Sequence, residues 1–406
     1  MELSEIDIVN PDNWVSGVPH EAFRILREKA PMHWQDFPGG QGFWAITKHA
    51  DVAAVSKDPT TFSSYRGSAL LRDLPPEDLA QTQLMMLNMD PPTHSKYRKL
   101  VNQGFTPRMT SGLEPRIREM TVEILDRVTP LGRCDFVRDV AAELPLLVIA
   151  ELMGVPREDR QKVFEWSNRL IGFDDPEFNT SEEQGKMAAA ELWMYANQLA
   201  EQRRKEPRDD LVSVLVNGEV DGERLSEMEF DSFFLLLAVA GNETTRNLIA
   251  GGMQALIEHP EQWKRLKENP QLVNTAVEEM LRWVTPVIHF RRTVTRPTEI
   301  QGVKLAEGDK VAIYYSSANR DEDVFENPMT FDVGRTPNNH LAFGIGEHFC
   351  LGANLARLEI RMMFEELIKR MPDIELAAPV RRLRSNFING VKEMQVRFTP
   401  TPAVAA

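Results

Sequence analysis

Two cysteines in 406 residues leave little sulfur chemistry to choose from. Cys134 and Cys350 form at most one disulfide, so a disulfide framework and a four-cysteine metal site are both excluded, and a reducing cytoplasm fits best. Basic charge is short as well. The 47 Lys and Arg face 61 Asp and Glu, a net charge of −14 that disfavours nucleic acid and anionic lipid. No apolar run approaches the ~20 residues needed to cross a bilayer, the longest compact one being Phe233 to Gly241. The opening Met-Glu-Leu-Ser-Glu-Ile-Asp-Ile-Val-Asn has neither the basic region nor the apolar run of a signal peptide. Neither a membrane anchor nor secretion is expected. Missing too are a Gly-x-Ser-x-Gly elbow, a phosphate loop, His-Glu-x-x-His and Cys-x-x-Cys-His. No linker, low-complexity tract or internal repeat divides the chain, so residues 1–406 read as a single domain.

What the chain does have is apolar residue enough for an extensive core, 42% of the total, and long stretches of helical periodicity. Helices are predicted over residues 48–56, 116–129, 144–153, 157–170, 183–204 and 272–283. Ser226 and Glu229 make a Ser-x-x-Glu start signal for a longer helix that runs to about Glu258, ahead of His259-Pro260. At 1.5 Å per residue it spans about 50 Å, and its apolar middle must pass through the core. Strand character is confined to residues 42–47, 287–295 and 311–315, the vicinity of Phe387, and 395–398. Residues 65–89 read as a long functional loop, and Asp90-Pro91-Pro92 as the cap of the helix that follows. The fold class is mostly α with minor β sheets.

Three patterns carry chemistry. In Phe343-Gly344-Ile345-Gly346-Glu347-His348-Phe349-Cys350-Leu351-Gly352 a cysteine sits in a glycine-punctuated loop just before a strongly helix-forming stretch from Ala353. A helix N-terminus lowers a thiol from its free pKa of about 8.5, and the glycines permit positive φ and close approach to a large flat group. Within the longest helix, Ala240-Gly241-Asn242-Glu243-Thr244-Thr245 interrupts large apolar residues with small and polar ones. Glycine there costs about 1 kcal/mol, buried Glu243 and Thr244 need partners, and Thr244 has the option of bonding back to a carbonyl one turn earlier and bending the helix. In Glu279-Met280-Leu281-Arg282, a carboxylate and a guanidinium share one helix face at i and i+3, a spacing that most often marks a surface ion pair.

The cysteine segment, as Phe-x-x-Gly-x-x-x-Cys-x-Gly, resembles the haem-binding signature of the cytochrome P450 superfamily, and the resemblance extends from about Pro11 to Pro400. It implies a single triangular-prism-like domain with a long central helix over haem b. Cys350 would be the axial iron ligand, with Phe343 and Gly352 beside the cofactor. His94, Arg98, Arg292 and His348 match the family's clamp on the haem propionates. Glu243 and Thr244 match its acid–alcohol pair, which delivers protons to iron-bound O2. Glu279 and Arg282 match its buried structural pair. Relatives often add an arginine through Pro-x-Arg-Phe, but here the stretch is Pro328-Met329-Thr330-Phe331; Arg335 is the candidate substitute. The segments around Asn242 and Phe387 are most similar to soluble bacterial enzymes that hydroxylate steroid side chains, terpenoids or branched fatty acids. A pocket walled by residues 70–89, Phe233, Leu237, Val239, Val287, Ile288, Phe387 and Ile388 would suit such a lipophilic substrate, oxidised near an aliphatic end. With no flavin or iron–sulfur segment in the chain, electrons would come from a ferredoxin and ferredoxin reductase. Lys96, Lys99, Arg108, Arg116 and Arg357 are candidate contacts, and the protein is expected to be a monomer.

Two competing readings use the same residues. His340, His348 and Glu347 could form a non-haem iron triad, which would leave Cys350 without a role. A haem-thiolate sensor or carrier that does not turn over would keep Cys350 and the clamp but would not need Glu243 and Thr244.

Overall fold

In the computed structural model, which describes residues 1–171, 181–219 and 222–403, the helices that position the site are α1 (Thr93–Val101), α2 (Glu143–Met153), α3 (Glu182–Lys205), α4 (Glu227–Glu258), α5 (Val273–Val284) and α6 (Ala353–Arg370). Helix α4 begins as its sequence predicts. Ser226 Oγ accepts from the Glu229 amide while the Glu229 carboxylate accepts from the Ser226 amide at 2.7 Å. It ends at His259, because Pro260 starts the next helix. Between these ends its 32 residues pass through the core, packed against α2, α3 and α5.

The polar interruption at Gly241–Thr245 does not break the helix, which is continuous there. Gly241 has a packing reason instead: a Cβ would come within 3.0 Å of the Ile149 side chain on α2. Thr244 does bond back, donating to the Ala240 carbonyl at 2.9 Å.

Five short strands form the main sheet: β1 (Met32–Gln35), β2 (Phe43–Ile46), β3 (Phe62–Ser63), β4 (His289–Val294) and β5 (Lys310–Tyr314), in the order β1-β2-β5-β4-β3. β2 and β5 are parallel and the other pairs antiparallel. The largest apolar cluster is built from the helices, and two smaller ones include alternate residues of this sheet's strands. The architecture is thus mostly helical with small sheets.

Three local expectations are corrected. Residues 65–89 are not all irregular, since Pro76–Thr82 is helical and Met86–Asn88 forms a 3-10 turn. Pro76 at the first helical position supplies the start signal. Asp90 does not cap α1; its carboxylate is taken by the Ser63 hydroxyl and the Ser64 amide, which ties the helix start to β3. Phe387 lies outside any strand. The chain there makes one isolated bridge, Val287 to Ile388, and the Phe387 carbonyl accepts from the Ile288 amide at 2.9 Å.

Candidate active site

Cys350 sits at the end of its loop, its amide donating to the Phe343 carbonyl at 2.9 Å, three residues ahead of α6. Gly344 and Gly346 take the positive φ that the turn requires, +68° and +78°. The close approach at Gly346 is to the protein's own backbone, because a Cβ would stand 2.5 Å from the Ser56 carbonyl. Gly352 differs from expectation: its φ is −85°, and a Cβ there would meet nothing within 4 Å. It is the open side of the loop, where Phe343 is partly exposed and Phe349 exposed. The thiol also departs from the simple helix argument. Burial pushes its pKa up, opposed by a bond from Gly352 and by the charges of Arg98 and Arg357. A thiolate at this position therefore needs a cation to compensate it, which a metal supplies.

The four clamp candidates come from three separate elements and converge. His94 on α1 stacks obliquely on His348, ring centroids 4.3 Å apart. Burial drives the His348 pKa down to about 2, and the nearby charges of Arg292, His94 and Arg98 add to the effect. Arg98 in turn feels Cys350. Arg292, on β4, is 4% exposed; it donates to the Arg291 carbonyl, lies 5.9 Å from the Phe290 ring centroid, and has no ion-pair partner among the described residues. The remaining partners are modest: His94 with Glu347 at 3.0 Å, His348 with Ser64 at 3.2 Å and Arg98 with Asn102 at 3.1 Å. Two guanidiniums and two imidazoles, with only Glu347 bonded among them as a carboxylate, offer N–H donors that fit a dianionic ligand. A single thiol fits a metal that brings its other ligands with it. The alternative triad is dispersed. His340 bonds Glu278, Glu347 bonds His94 and Ser95, and no group of three His, Cys, Asp or Glu among the described residues could hold a metal.

One face of α4 is open in the middle of the core, through Leu236, Val239, Ala240 and Thr244, with Ala240 the most exposed of them. Of the three wall residues expected on this helix, Val239 lies on that face, whereas Phe233 and Leu237 are closed into the core at 6% and 8% exposure. Val287 and Phe387 are half-buried, while Ile288 and Ile388 are buried. Phe387 packs on both Phe290 and His289. Glu243 is buried and points elsewhere, to the partly buried Arg246, in an ion pair. Burial raises its pKa, and Arg246 opposes the rise. Arg246 was not singled out in the sequence, although Glu243-Thr-Thr-Arg246 has the same spacing as Glu279-x-x-Arg282.

Glu279 and Arg282 are fully buried and bonded through two contacts of 2.7 and 2.8 Å. The missing third member is Arg335, whose Nε donates to both Glu279 oxygens at 3.3 and 3.1 Å. Asn338 and the Asp332 amide complete the carboxylate's shell at 3.1 and 2.9 Å.

A cleft of about 750 Å³ lies between α5 and α6, lined among others by Glu114, Glu278, Arg357 and Arg361. Its mixed charge is unlike an apolar pocket, and it is separate from the open face of α4. Of the surface cations considered for a redox partner, Lys99 is exposed, whereas Lys96, Arg116 and Arg357 are paired with Glu223, Glu119 and Glu278; the Arg108 side chain lies outside the described residues. Among the described residues no helix is long and apolar enough to cross a membrane.

Comparison with known proteins agrees with this geometry. The model of the family described as Cytochrome P450 matches residues 145–372. A steroid C26-monooxygenase of Rhodococcus jostii is 45% identical over 403 residues, 97% of this chain and 84% of the relative. A methyl-branched lipid omega-hydroxylase of Mycobacterium tuberculosis is 43% identical, covering 98% of this chain and 95% of the relative. A solved Mycobacterium marinum cytochrome P450 in complex with pseudoionone superposes with a TM-score of 0.90 at 38% identity, over 97% of this chain and 98% of that one. The chain belongs to the cytochrome P450 family. Its activity is that of a monooxygenase, and its cofactor is haem.

Proposed function

We propose that residues 1–406 form one haem b monooxygenase unit that hydroxylates an elongated lipophilic substrate, of steroid, terpenoid or branched fatty acid type, at or near an aliphatic end. The observation that carries the reading is the convergence of Cys350 with His94, Arg98, Arg292 and His348, a thiol beside two guanidiniums and two imidazoles. In this reading Cys350 is the axial ligand, the four hold the propionates, and Phe343 and Gly352 border the ring. When bound, haem supplies the chemistry that activates dioxygen.

The chain's own residues do the rest. Thr244 presents its Oγ1 on the open face of α4, and Glu243 one residue earlier holds the proton that passes through it. Val239, Val287 and Phe387 exclude water and orient the substrate by apolar contact, each fully buried group contributing about 1.5–3 kcal/mol; Phe233, Leu237, Ile288 and Ile388 back this wall as buried residues. The terminal position is supported by relatives named for C26 and omega oxidation. Electrons come from a ferredoxin and ferredoxin reductase, and the protein works in the cytoplasm as a monomer; the two unpaired cysteines support a reducing compartment.

Replacing Cys350 by His abolishes the thiolate signature of the reduced carbon monoxide complex; a surviving signature overturns the ligand assignment. A panel of sterols, terpenes and fatty acids, scored by spectral displacement of iron-bound water and by product, tests the substrate. Ring-face oxidation, or turnover of small aromatics alone, overturns the terminal position. Steady substrate-dependent oxidation of reduced cofactor excludes the sensor or carrier reading.

A further inference from the structure

The buried polar surface of α4 is larger than an acid–alcohol pair requires, and part of it is unpartnered. Asn242 is fully buried with no partner for either amide atom; Arg246 Nε and Asn247 Nδ2 are also buried and unmet. Polar groups left in this condition cost about 1–3 kcal/mol each unless water reaches them. Asn242 and Arg246 are four residues apart, one turn, on one face of the helix. The Glu243 carboxylate is drawn toward Arg246, three residues on, while the Thr244 hydroxyl is bonded to Ala240. The acid and the alcohol are adjacent in sequence and unconnected in the fold.

We infer that Arg246 is a positioning residue that holds the emptied Glu243 carboxylate away from Thr244 and lets the protonated carboxyl swing to it. This rests on the reading of Glu243 as proton donor. The balance is simple. A proton from water near Asn242 and Arg246 adds to a Glu243 oxygen; the neutral carboxyl loses its charge–charge attraction to Arg246 and turns to Thr244. It donates to Thr244 Oγ1 as the hydroxyl's own proton passes on toward the substrate side. The carboxylate that remains is recaptured by Arg246. One proton crosses, and no electron moves.

Arg246 is the one charged group that acts on Glu243 among the described residues. The titratable groups on packed elements are engaged elsewhere: Asp231, earlier on α4, accepts from Asn197 of α3, Glu279 of α5 is held in its own network, and Glu359 of α6 is buried with one oxygen unpartnered. Glu359 is the internal control. With no cation acting on it, burial alone raises its pKa, whereas at Glu243 the Arg246 charge opposes the rise.

The test uses the haem-loaded enzyme with bound substrate and two readouts, the infrared carbonyl band of protonated Glu243, assigned by its loss in Glu243→Gln, and the pH profile of product formed per reduced cofactor consumed. In Arg246→Leu the midpoint of the carboxyl band moves up by at least one pH unit, about tenfold in proton affinity, and the coupling profile moves with it. Arg246→Lys restores both to within about half a unit. Should the leucine variant fail to retain haem, Arg246→Gln gives the same shift at nearly the native size. An unmoved band in a folded Leu or Gln variant overturns the role of Arg246, even if Glu243→Gln uncouples the enzyme as expected. A band that moves while the coupling profile stays still, with Glu243→Gln fully coupled, overturns instead the reading of Glu243 as donor, and the inference falls with it.

Discussion

The chain contains the same four-residue pattern twice, Glu243-Thr-Thr-Arg246 in α4 and Glu279-Met-Leu-Arg282 in α5, and the fold treats the two very differently. The second pair is wholly removed from water, the first only partly, since Arg246 keeps some exposure. Around the second pair every valence is used. Arg282 spends its five N–H groups on Glu279 and on the carbonyls of Asn319, Pro328 and Thr330, while Glu279 also accepts from Arg335, Asn338 and the Asp332 amide. Around the first pair there is one contact, with Arg246 Nε and the Asn242 amide left over. A fully bonded buried pair is costly to disturb and so serves as a frame; a pair with one contact and unmet neighbours has somewhere to go. Helical spacing creates the pairs, and their surroundings assign the work.

The comparison is broken most directly at Glu279. Glu279→Ala leaves Arg282 and Arg335 as buried, unpaired cations and is expected to cost about 3–5 kcal/mol, read by urea or thermal unfolding. A loss below about 1 kcal/mol would mean that the network is not a frame. Arg335→Ala keeps the helical pair and removes only charge-assisted bonds, so its expected cost is smaller, about 1.5–3 kcal/mol in the same assay. Equality with Glu279→Ala would show that the third arm, not the pair, carries the load.

His289 belongs on the unfinished side, with both ring nitrogens unpartnered and its pKa pushed down by burial to about 3. The unfolded imidazole takes a proton below pH ~6.5 and the folded one does not until about pH 3, so stability is lost as pH falls through that window. The slope is at most about 1.4 kcal/mol per pH unit from this residue. His289→Phe should lower the acid dependence by that amount between pH 6 and 4, and an unchanged slope would mean that His289 is hydrated and titrates normally. The smallest stability effect is expected at Thr244. Thr244→Ala removes one hydrogen bond to Ala240, about 1 kcal/mol or less, yet it should uncouple turnover and release peroxide. Intact product yield per electron would take Thr244 out of the relay.

Much of this site was legible because its signals are local. Cys350 is placed by glycines and a helix start within ten residues, and the start of α4 follows from Ser226 and Glu229 alone. The propionate clamp was legible only through resemblance, since His94 and Arg98 on α1, Arg292 on β4 and His348 in the cysteine loop are far apart in sequence, and each taken singly reads as surface charge or a loop histidine. Arg335 was readable as a candidate and not as a contact: its loop returns to α5 through Pro328 and Asp332, a path set by packing. Arg246 had a visible signal in its spacing, but i,i+3 spacing does not tell a buried pair from a surface one.

By itself the sequence determined the helical architecture, the long central helix with its capped start, the thiol ahead of a helix, and the shared face of Glu279 and Arg282. These follow from periodicity and capping over a few turns, where neighbours in sequence are neighbours in space. Tertiary structure alone decided the rest. It chose which face of α4 stays open, closed Phe233 and Leu237 into the core, and raised the Cys350 thiol by burial against the helix-end expectation. It also made one ion pair a finished frame and left the other with room to move. The physical reason is the same in each case: burial and the supply of partners depend on other elements of the fold, and a buried charge is governed by what surrounds it.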